Sequence, residues 1–463
     1  MDEHRADPVL FDDLFAKPTR ISFDEPHTSS DGGVFLLNAA DRLLGVTSAF
    51  VEHIHDDRQP GKVQHTVEQL LRQRVFGMAC GYADANDAAR LADDPMMRLA
   101  AGRSASDDDD DDLAGQSTLS RFENSLGATA LFRVGCGLAE AVLDHHQRRR
   151  RGRRKPRLIT IDLDPTDDPT HGQQQFAFFN AHYGNWCYLP LAGFVSFDQD
   201  PEQYLVAAVL RPGNAHATHG AACVLRRLVA MIRERWPKAR VRVRLDGGYA
   251  TPAMFEWLEW LGVEYVVAMP SNTRLDAIAE PAMRQSRREQ KQTGETARRF
   301  GECRYAARSW DRPRRVIFKA EVVSLSGRPP RDNGRFVVTN LRHSPEKVYN
   351  VYRQRGDAEN RIKELQHGVD IGRTSCTSFL ANAFRVLMSA AAYMLLQFLR
   401  AHAPDERLRR AQVWTLRERL LKVAARVRIT WRHIQIHLPV TCAWAQAIRR
   451  LAMKLGACPA LGP

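Results

Sequence analysis

Two short alternating stretches, LITIDLD at 158–164 and RVRVRLDGG at 240–248, constrain this chain more than anything else in it. In the first, Ile159, Ile161 and Leu163 fall on one face and Thr160, Asp162 and Asp164 on the other, the period-two pattern of a half-buried β-strand. In the second, Val241, Val243 and Leu245 turn inward and Asp246 stands at the strand's end. Each strand therefore delivers a carboxylate to its terminus. A fold that aligns the two strands brings those acids to one edge.

The intervening sequence says how they align. NWCYLPLAGFVSF and QYLVAAVLRPGN read as two more strands, the latter ending in a Pro-Gly-Asn turn. AACVLRRLVAMIRERW is an amphipathic helix closed by Pro237, and TPAMFEWLEWLG is a helix with Thr251 as N-cap and Pro252 in its first turn. VEYVVAMP follows as a strand. Three consecutive strands imply an antiparallel meander, and the helix-linked strands imply parallel additions. That order is the order of an RNase H-like fold.

The flanking regions are read from pattern and charge. VEQLLRQRVFGMACGYADANDAARLADD spaces its apolar residues helically, so residues 1–145 are expected to be mostly helical. The six aspartates at 107–112 read as an exposed loop held open by self-repulsion. QRRRRGRRKPR carries eight cationic side chains and forms a basic linker at 146–157, with Arg148, Arg149, Arg150, Arg151, Arg153 and Arg154 as candidate contacts to a phosphate backbone. The core's first part spans 158–275. Residues 276–335 read as a β-rich insertion with a basic surface, since RRVIFKAEVVSLSG and GRFVVTNL are strands. Residues 336–400 close the core and 401–463 form a helical tail. The fold class expected is thus mixed α/β: an RNase H-like core with a β-rich insertion, a helical N-terminal region and a helical C-terminal tail.

Composition narrows the partner. The chain has 463 residues, 44% of them hydrophobic, which is ample for a large core and excludes whole-chain disorder. Its net charge of +13 points to a polyanion. The eight cysteines contain no CxxC pair, so neither a zinc site nor a disulfide framework is expected. The start MDEHRADPVLFDDLF lacks a basic and then apolar run, and VLMSAAAYMLLQFL is short for a bilayer span. The expectation is a cytoplasmic protein without membrane contact.

A third acid lies further on. SPEKVYNVYRQRGDAENRIKELQHG reads as one long helix with Ser344 as N-cap and Gly368 at its end, and Tyr352, Arg355, Glu359 and Lys363 then share one stripe. A salt-bridged surface helix would show the same spacing. Taken with Asp164 or Asp162 and with Asp246, however, Glu359 completes a set of oxygen donors on separate rigid elements, as hard divalent cations require. Two Mg²⁺ ions about 3.5–4 Å apart activate a water or 3′-hydroxyl and stabilise the leaving oxygen of a phosphodiester. Arg355 and Lys363 are placed to hold phosphates, and Tyr352 to donate a hydrogen bond or pack on the sheet.

Three blocks, IDLDPTDDPTHGQQ, VRLDGGYATPAMFEWLE and YRQRGDAENRIKELQHG, in this order, resemble the catalytic blocks of bacterial insertion-sequence transposases of the DDE type. The likeness is to the branch with a β-rich insertion between the second Asp and the Glu (DDE domain group 1). GYADANDAARLADDP, LAGQSTLSRFEN and FVVTNL extend it over most of residues 25–400. The resemblance implies Asp164, Asp246 and Glu359 as catalytic, metal-holding acids, with Asp162 as the alternative first acid on the same strand face. It implies two Mg²⁺ ions, with Mn²⁺ as a substitute. Tyr352, Arg355 and Lys363 become DNA contacts, although the family's lysine position, seven residues beyond the Glu, is Gln366 here. The implied programme is binding of terminal inverted repeats and target double-stranded DNA, cleavage, and strand transfer, with a homodimer in the synaptic complex. An RNase H-like nuclease without strand transfer and an inactive DNA-binding relic are the alternatives.

Overall fold

The structure, a computed structural model, describes residues 8–12, 15–104, 112–150, 152 and 154–459. Arg151, Arg153 and five of the six clustered aspartates, 107–111, lie outside the described residues.

The N-terminal part is helical, as its periodicity predicts. Its main helices are α1 (Val34–Leu44), α2 (Val67–Ala79) and α3 (Ala128–Arg149). A reciprocal capping box starts α2: Gln69 donates its backbone N–H to Thr66, and its side chain accepts the Thr66 backbone N–H.

The centre of the molecule is one eight-stranded sheet. In chain order its strands are β1 (Leu158–Pro165), β2 (Leu191–Phe197), β3 (Tyr204–Val209), β4 (Arg240–Leu245), β5 (Glu264–Met269), β6 (Ala297–Tyr305), β7 (Arg314–Leu325) and β8 (Arg328–Thr339), in the spatial order β6-β7-β8-β5-β4-β1-β2-β3. β1, β2 and β3 pair antiparallel, whereas β4 lies parallel to β1 and β5 parallel to β4. The RNase H-like order expected from the element sequence is therefore the order found. Helices α4 (Ala221–Arg235) and α5 (Pro252–Trp260) make the two crossovers, and Thr251 caps α5 by accepting the Met254 N–H.

Residues 276–335, expected to be β-rich, begin instead with a 21-residue helix, α6 (Thr273–Thr293), and then give β6, β7 and most of β8. The helix was masked by its polarity: only Leu275, Ala279 and Met283 give it an apolar stripe, and Pro281 interrupts it. Asn272 accepts the Leu275 N–H and starts it. The three strands form no separate sheet. Through β8 on β5 they continue the core sheet.

β8 runs antiparallel to β5, so its end at Thr339, paired with Val266, points away from the edge where β1 and β4 finish. Helix α7 (Pro345–Arg353) then runs back against β5, β6, β7 and β8, and α8 (Gly356–Gly368) follows. The single long helix expected over 344–368 is thus two. Val351 O would accept the Arg355 N–H in an unbroken helix. Here Arg244 Nη1 takes that carbonyl at 3.1 Å, and Arg355 N–H bonds to Tyr352 O instead.

Helix α9 (Phe379–His402) is the buried post of the molecule, packing on α1, α2, α3 and β3. Among the described residues it alone is apolar and long enough to cross a membrane, but 83% of its apolar window is buried inside the protein. Its charges are matched within: Arg400 pairs with Glu364 at 2.6 Å, both almost fully buried. The tail beyond residue 401, expected to be helical, also contains the antiparallel strands Ala425–Ile429 and Ile434–His437, the first pairing with Thr28–Ser29. Alternation in ARVRI and IQIH, set about a turn, carries that hairpin.

Candidate active site

β1 and β4 are in register Arg244 to Asp162, so their C-terminal ends project Asp164 and Asp246 from the same edge of the sheet. Asp246 ends its strand by accepting the Gly248 N–H at 2.9 Å, which starts a short 3₁₀ turn. Glu359 arrives from the first turn of α8.

Arg355 ties this arrangement together. Its Nη2 lies 2.6 Å from Asp164 Oδ1, and its Nη1 lies 3.2 Å from Glu359 Oε1. The guanidinium is nearly buried, and its Nε has no hydrogen-bond partner. One cation thus spans the first strand and the third-acid helix. Burial pushes the Asp164 carboxyl up to about 7; Arg355 pulls it down, and Asp246 and Glu359 push it up. Burial also raises the Tyr352 hydroxyl, with Arg355 opposing and Asp246, Glu359 and Asp164 adding. All five groups therefore share one electrostatic site.

Asp162 has a different fate. It shares the strand face but is 1% exposed. Arg244 Nε and Nη2 grip its two oxygens at 2.7 and 2.6 Å, and Gln203 Nε2 donates at 3.1 Å. Because Arg244 also holds Val351 O, Asp162 anchors the end of α7 through a buried relay.

The remaining candidates are distributed unevenly. Lys363 is exposed one turn beyond Glu359 on α8. Gln366 Nε2 donates to Thr166 Oγ1 at 2.6 Å, fastening α8 to the Asp164-Pro165-Thr166 turn. Tyr352 is half-buried, its ring 6.1 Å from that of Tyr349. The arginine run lies at the far end: it precedes β1, whereas Asp164 ends it, six residues and about 20 Å later along the strand. Arg148 donates to Leu43 O, Arg150 approaches Asp198 at 3.7 Å, and Arg149 and Arg154 are exposed.

Sequence reasoning also missed residues here. Asp168 is 1% exposed; it accepts from Thr374 Oγ1 at 2.8 Å, and burial pushes its carboxyl up to about 7. Its partner is 206 residues away, so no local signal marked it. Tyr183 was passed over. Burial raises its hydroxyl, and Asp167, Asp164 and Asp246 raise it further.

The donor set suits hard divalent cations: carboxylates from three separate elements, two already engaged with a positive group. Among the described residues no three acidic, histidine or cysteine side chains stand close enough to hold an ion in this arrangement. Arg355, bridging Asp164 and Glu359, must release at least one of them for a cation to enter.

No curated protein matches the chain. Residues 11–460 match the family model described as transposase DDE domain group 1, and since that span is nearly the whole chain, the protein belongs to the DDE transposase family.

Proposed function

We propose that this transposase binds the terminal inverted repeats of a mobile element, cuts the phosphodiester backbone at their ends, and joins the freed 3′-hydroxyls to target DNA. The observation that carries the reading is the Arg355 bridge between Asp164 and Glu359 beside Asp246. Four charged groups from three elements converge where a strand end, rather than a packed core, would otherwise leave them in water.

In this reading Asp164, Asp246 and Glu359 hold two Mg²⁺ ions, or Mn²⁺ in their place. Bound there, such ions supply an activated water or 3′-oxygen and neutralise the leaving oxygen. The chain's own residues do the rest. Arg355, with an unpartnered Nε, turns toward a phosphate as it leaves the carboxylates, Lys363 meets the backbone one turn further along α8, and Tyr352 shields the site's flank. Gln366 positions the turn after Asp164 rather than contacting phosphate. Asp162 supports the strand and takes no cation, since both its oxygens are already committed to Arg244. Arg149 and Arg154, with their neighbours in the run, contact DNA remote from the cut. The helical region before residue 145 contacts the repeat, with Gln116, Ser117 and Arg121 exposed on one helix. A homodimer would hold two ends together.

The test is incubation of the purified protein with Mg²⁺ and a supercoiled plasmid carrying the element's ends. Nicked and strand-transfer products are expected from the wild type and neither from Asp246→Asn. Cleavage without joining would reduce the protein to a nuclease. No cleavage by the wild type, or undiminished cleavage by Asp246→Asn, would overturn the reading.

A further inference from the structure

The stretch from 169 to 197 contains no Asp, Glu, Lys or Arg, in a chain where such residues make up 26%. It leaves the acid-bearing end of β1 directly: the Thr166 N–H bonds to Pro190 O, closing the base of a small three-stranded sheet made of Asp168–Pro169, Phe178–Asn180 and Asn185–Tyr188. Its composition is aromatic and amide-rich: five Phe, Tyr and Trp side chains before Tyr188, with Gln173, Gln174, Gln175, Asn180 and Asn185.

Those rings are not used to build a core. Phe179 and Trp186 are directly paired across the hairpin, so they share a face, and they stand 55% and 59% exposed with centroids 6.5 Å apart. Phe176, also 55% exposed, adopts a φ of 61°, a backbone conformation that a bulky residue avoids unless its surroundings impose it. The surroundings do impose it. Gln174 Nε2 donates to Thr374 O, the Gln175 N–H bonds to Thr377 O, and the Phe379 N–H bonds to Gln175 Oε1. On the other side Asn180 Nδ2 donates to Gly213 O at 2.8 Å, and a Cβ at Gly213 would lie 2.0 Å from Cys187 O, so the 213 backbone is pressed against the hairpin. The hairpin is clamped on both flanks while presenting bare rings to solvent.

Rigid exposed aromatics beside a phosphodiester-cutting site have one fitting occupant. Bases present π-faces, stacking tolerates any sequence, and a surface without charge neither repels the backbone nor competes for it. A paired duplex keeps its faces covered, so the ligand must be unpaired. The hairpin carrying Phe179 and Trp186 is hydrogen-bonded to the chain as it leaves Asp164, through the Thr166 N–H to Pro190 O and the pairing of Asp168–Pro169 with Tyr188 and Cys187.

We propose that Phe179 and Trp186 form a stacking platform for an unpaired nucleobase of the DNA strand being cut, holding the end of the duplex frayed at the acid cluster. This rests on the reading that the acids cut DNA. It adds a binding site for single-stranded DNA that the acids themselves do not require.

The test compares binding of the full chain, without added divalent cation, to a fully paired duplex and to the same duplex with a single-stranded extension carrying a fluorescent adenine analogue. The wild type should prefer the extended duplex and quench the analogue. Trp186→Ala and Phe179→Ala should each lose roughly tenfold of that preference with paired-duplex affinity unchanged, and Trp186→Phe should keep most of it. As a check independent of folding, photocrosslinking of wild type to a thio-substituted base in the extension should label the 176–186 segment. Equal losses on both DNAs, unchanged quenching in the alanine variants, labelling elsewhere, or a changed oligomeric state in Trp186→Ala would each overturn the platform. Mg²⁺-dependent nicking separates the two claims: wild-type nicking without preference for unpaired bases sinks the platform alone, whereas absence of nicking sinks the reading beneath it.

Discussion

Asp162 and Asp164 sit two residues apart on one face of one strand, yet the structure assigns them opposite consequences when their charge is removed. In Asp162→Asn the volume is kept and one acceptor oxygen survives, so one of the two Arg244 bonds, 2.7 and 2.6 Å, is retained. What is lost is the counter-charge of a guanidinium whose side chain is 4% exposed. Losing a hydrogen bond to a charged group costs about 1.5–3 kcal/mol, and stranding a buried charge about 3–5 kcal/mol. A destabilisation of about 3 kcal/mol is expected, with α7 loosened because Arg244 also holds Val351 O. In Asp164→Asn the removed proton site is already raised to about 7, so near neutral pH the amide imitates a form the carboxyl half occupies. Arg355 keeps Glu359. Because the ionised carboxyl disfavours the fold, the amide should leave the protein no less stable near neutral pH and more stable by up to about 4 kcal/mol, some three units of pKa. The assay is a denaturation curve and a plasmid-nicking rate for each variant. Asp162→Asn should be fragile but able to nick where folded, and Asp164→Asn robust but inert. A stable, inert Asp162→Asn beside a nicking Asp164→Asn would reverse the assignment and refute the reasoning.

Other consequences can be measured alongside. Because the folded Asp164 carboxyl lies above its ordinary 3.8, the folded state holds that proton more tightly; the resulting stability is present below about pH 4 and lost as pH rises through about 7. Wild-type melting should therefore fall relative to Asp164→Asn across that window while nicking rises, and parallel melting curves would contradict the shift. Glu359→Gln should reduce nicking by more than the roughly 10–100-fold typical of changes to outer-shell partners, with binding to end DNA largely intact; equal loss of binding in a gel-shift titration would count against a metal-holding role. Replacing Arg149 and Arg154 with alanine should each lower the slope of log affinity against log salt by about 1, whereas Arg150→Ala, which gives up its approach to Asp198, should also lower the melting temperature. An unchanged slope would leave the run as a spacer.

What could be read in advance follows from how local each cause is. The sheet strands declared themselves because alternation is a property of neighbouring residues, and the acids at their ends came with them. The pairing of Glu359 with Arg355 was legible from their spacing, although the helix carrying them was not correctly drawn. Nothing in VYRQRGDAE breaks a helix before Gly356. The break is made from outside, by Arg244 taking a carbonyl 107 residues away. Asp168 is the same kind of case, buried by Thr374, and α6 the opposite one, a helix whose stripe is too thin to be told from a polar loop. The choice between Asp162 and Asp164 was open for a similar reason. It turns on which of the two meets Arg244 on the adjacent strand, and that is a matter of register rather than of either residue's neighbours.

That register works as a measuring device. β1 and β4 step along each other one residue for one residue, from Leu158 against Arg240 to Asp162 against Arg244, and both run two residues further to their acids. A single residue inserted or deleted within either strand would turn one terminal carboxylate through the plane of the sheet and set it on the opposite side from its companion. The distance between the first two acids is thus fixed by counting along two backbones hydrogen-bonded to each other in register, and tolerance to length change should stop abruptly at Leu158 and Arg240.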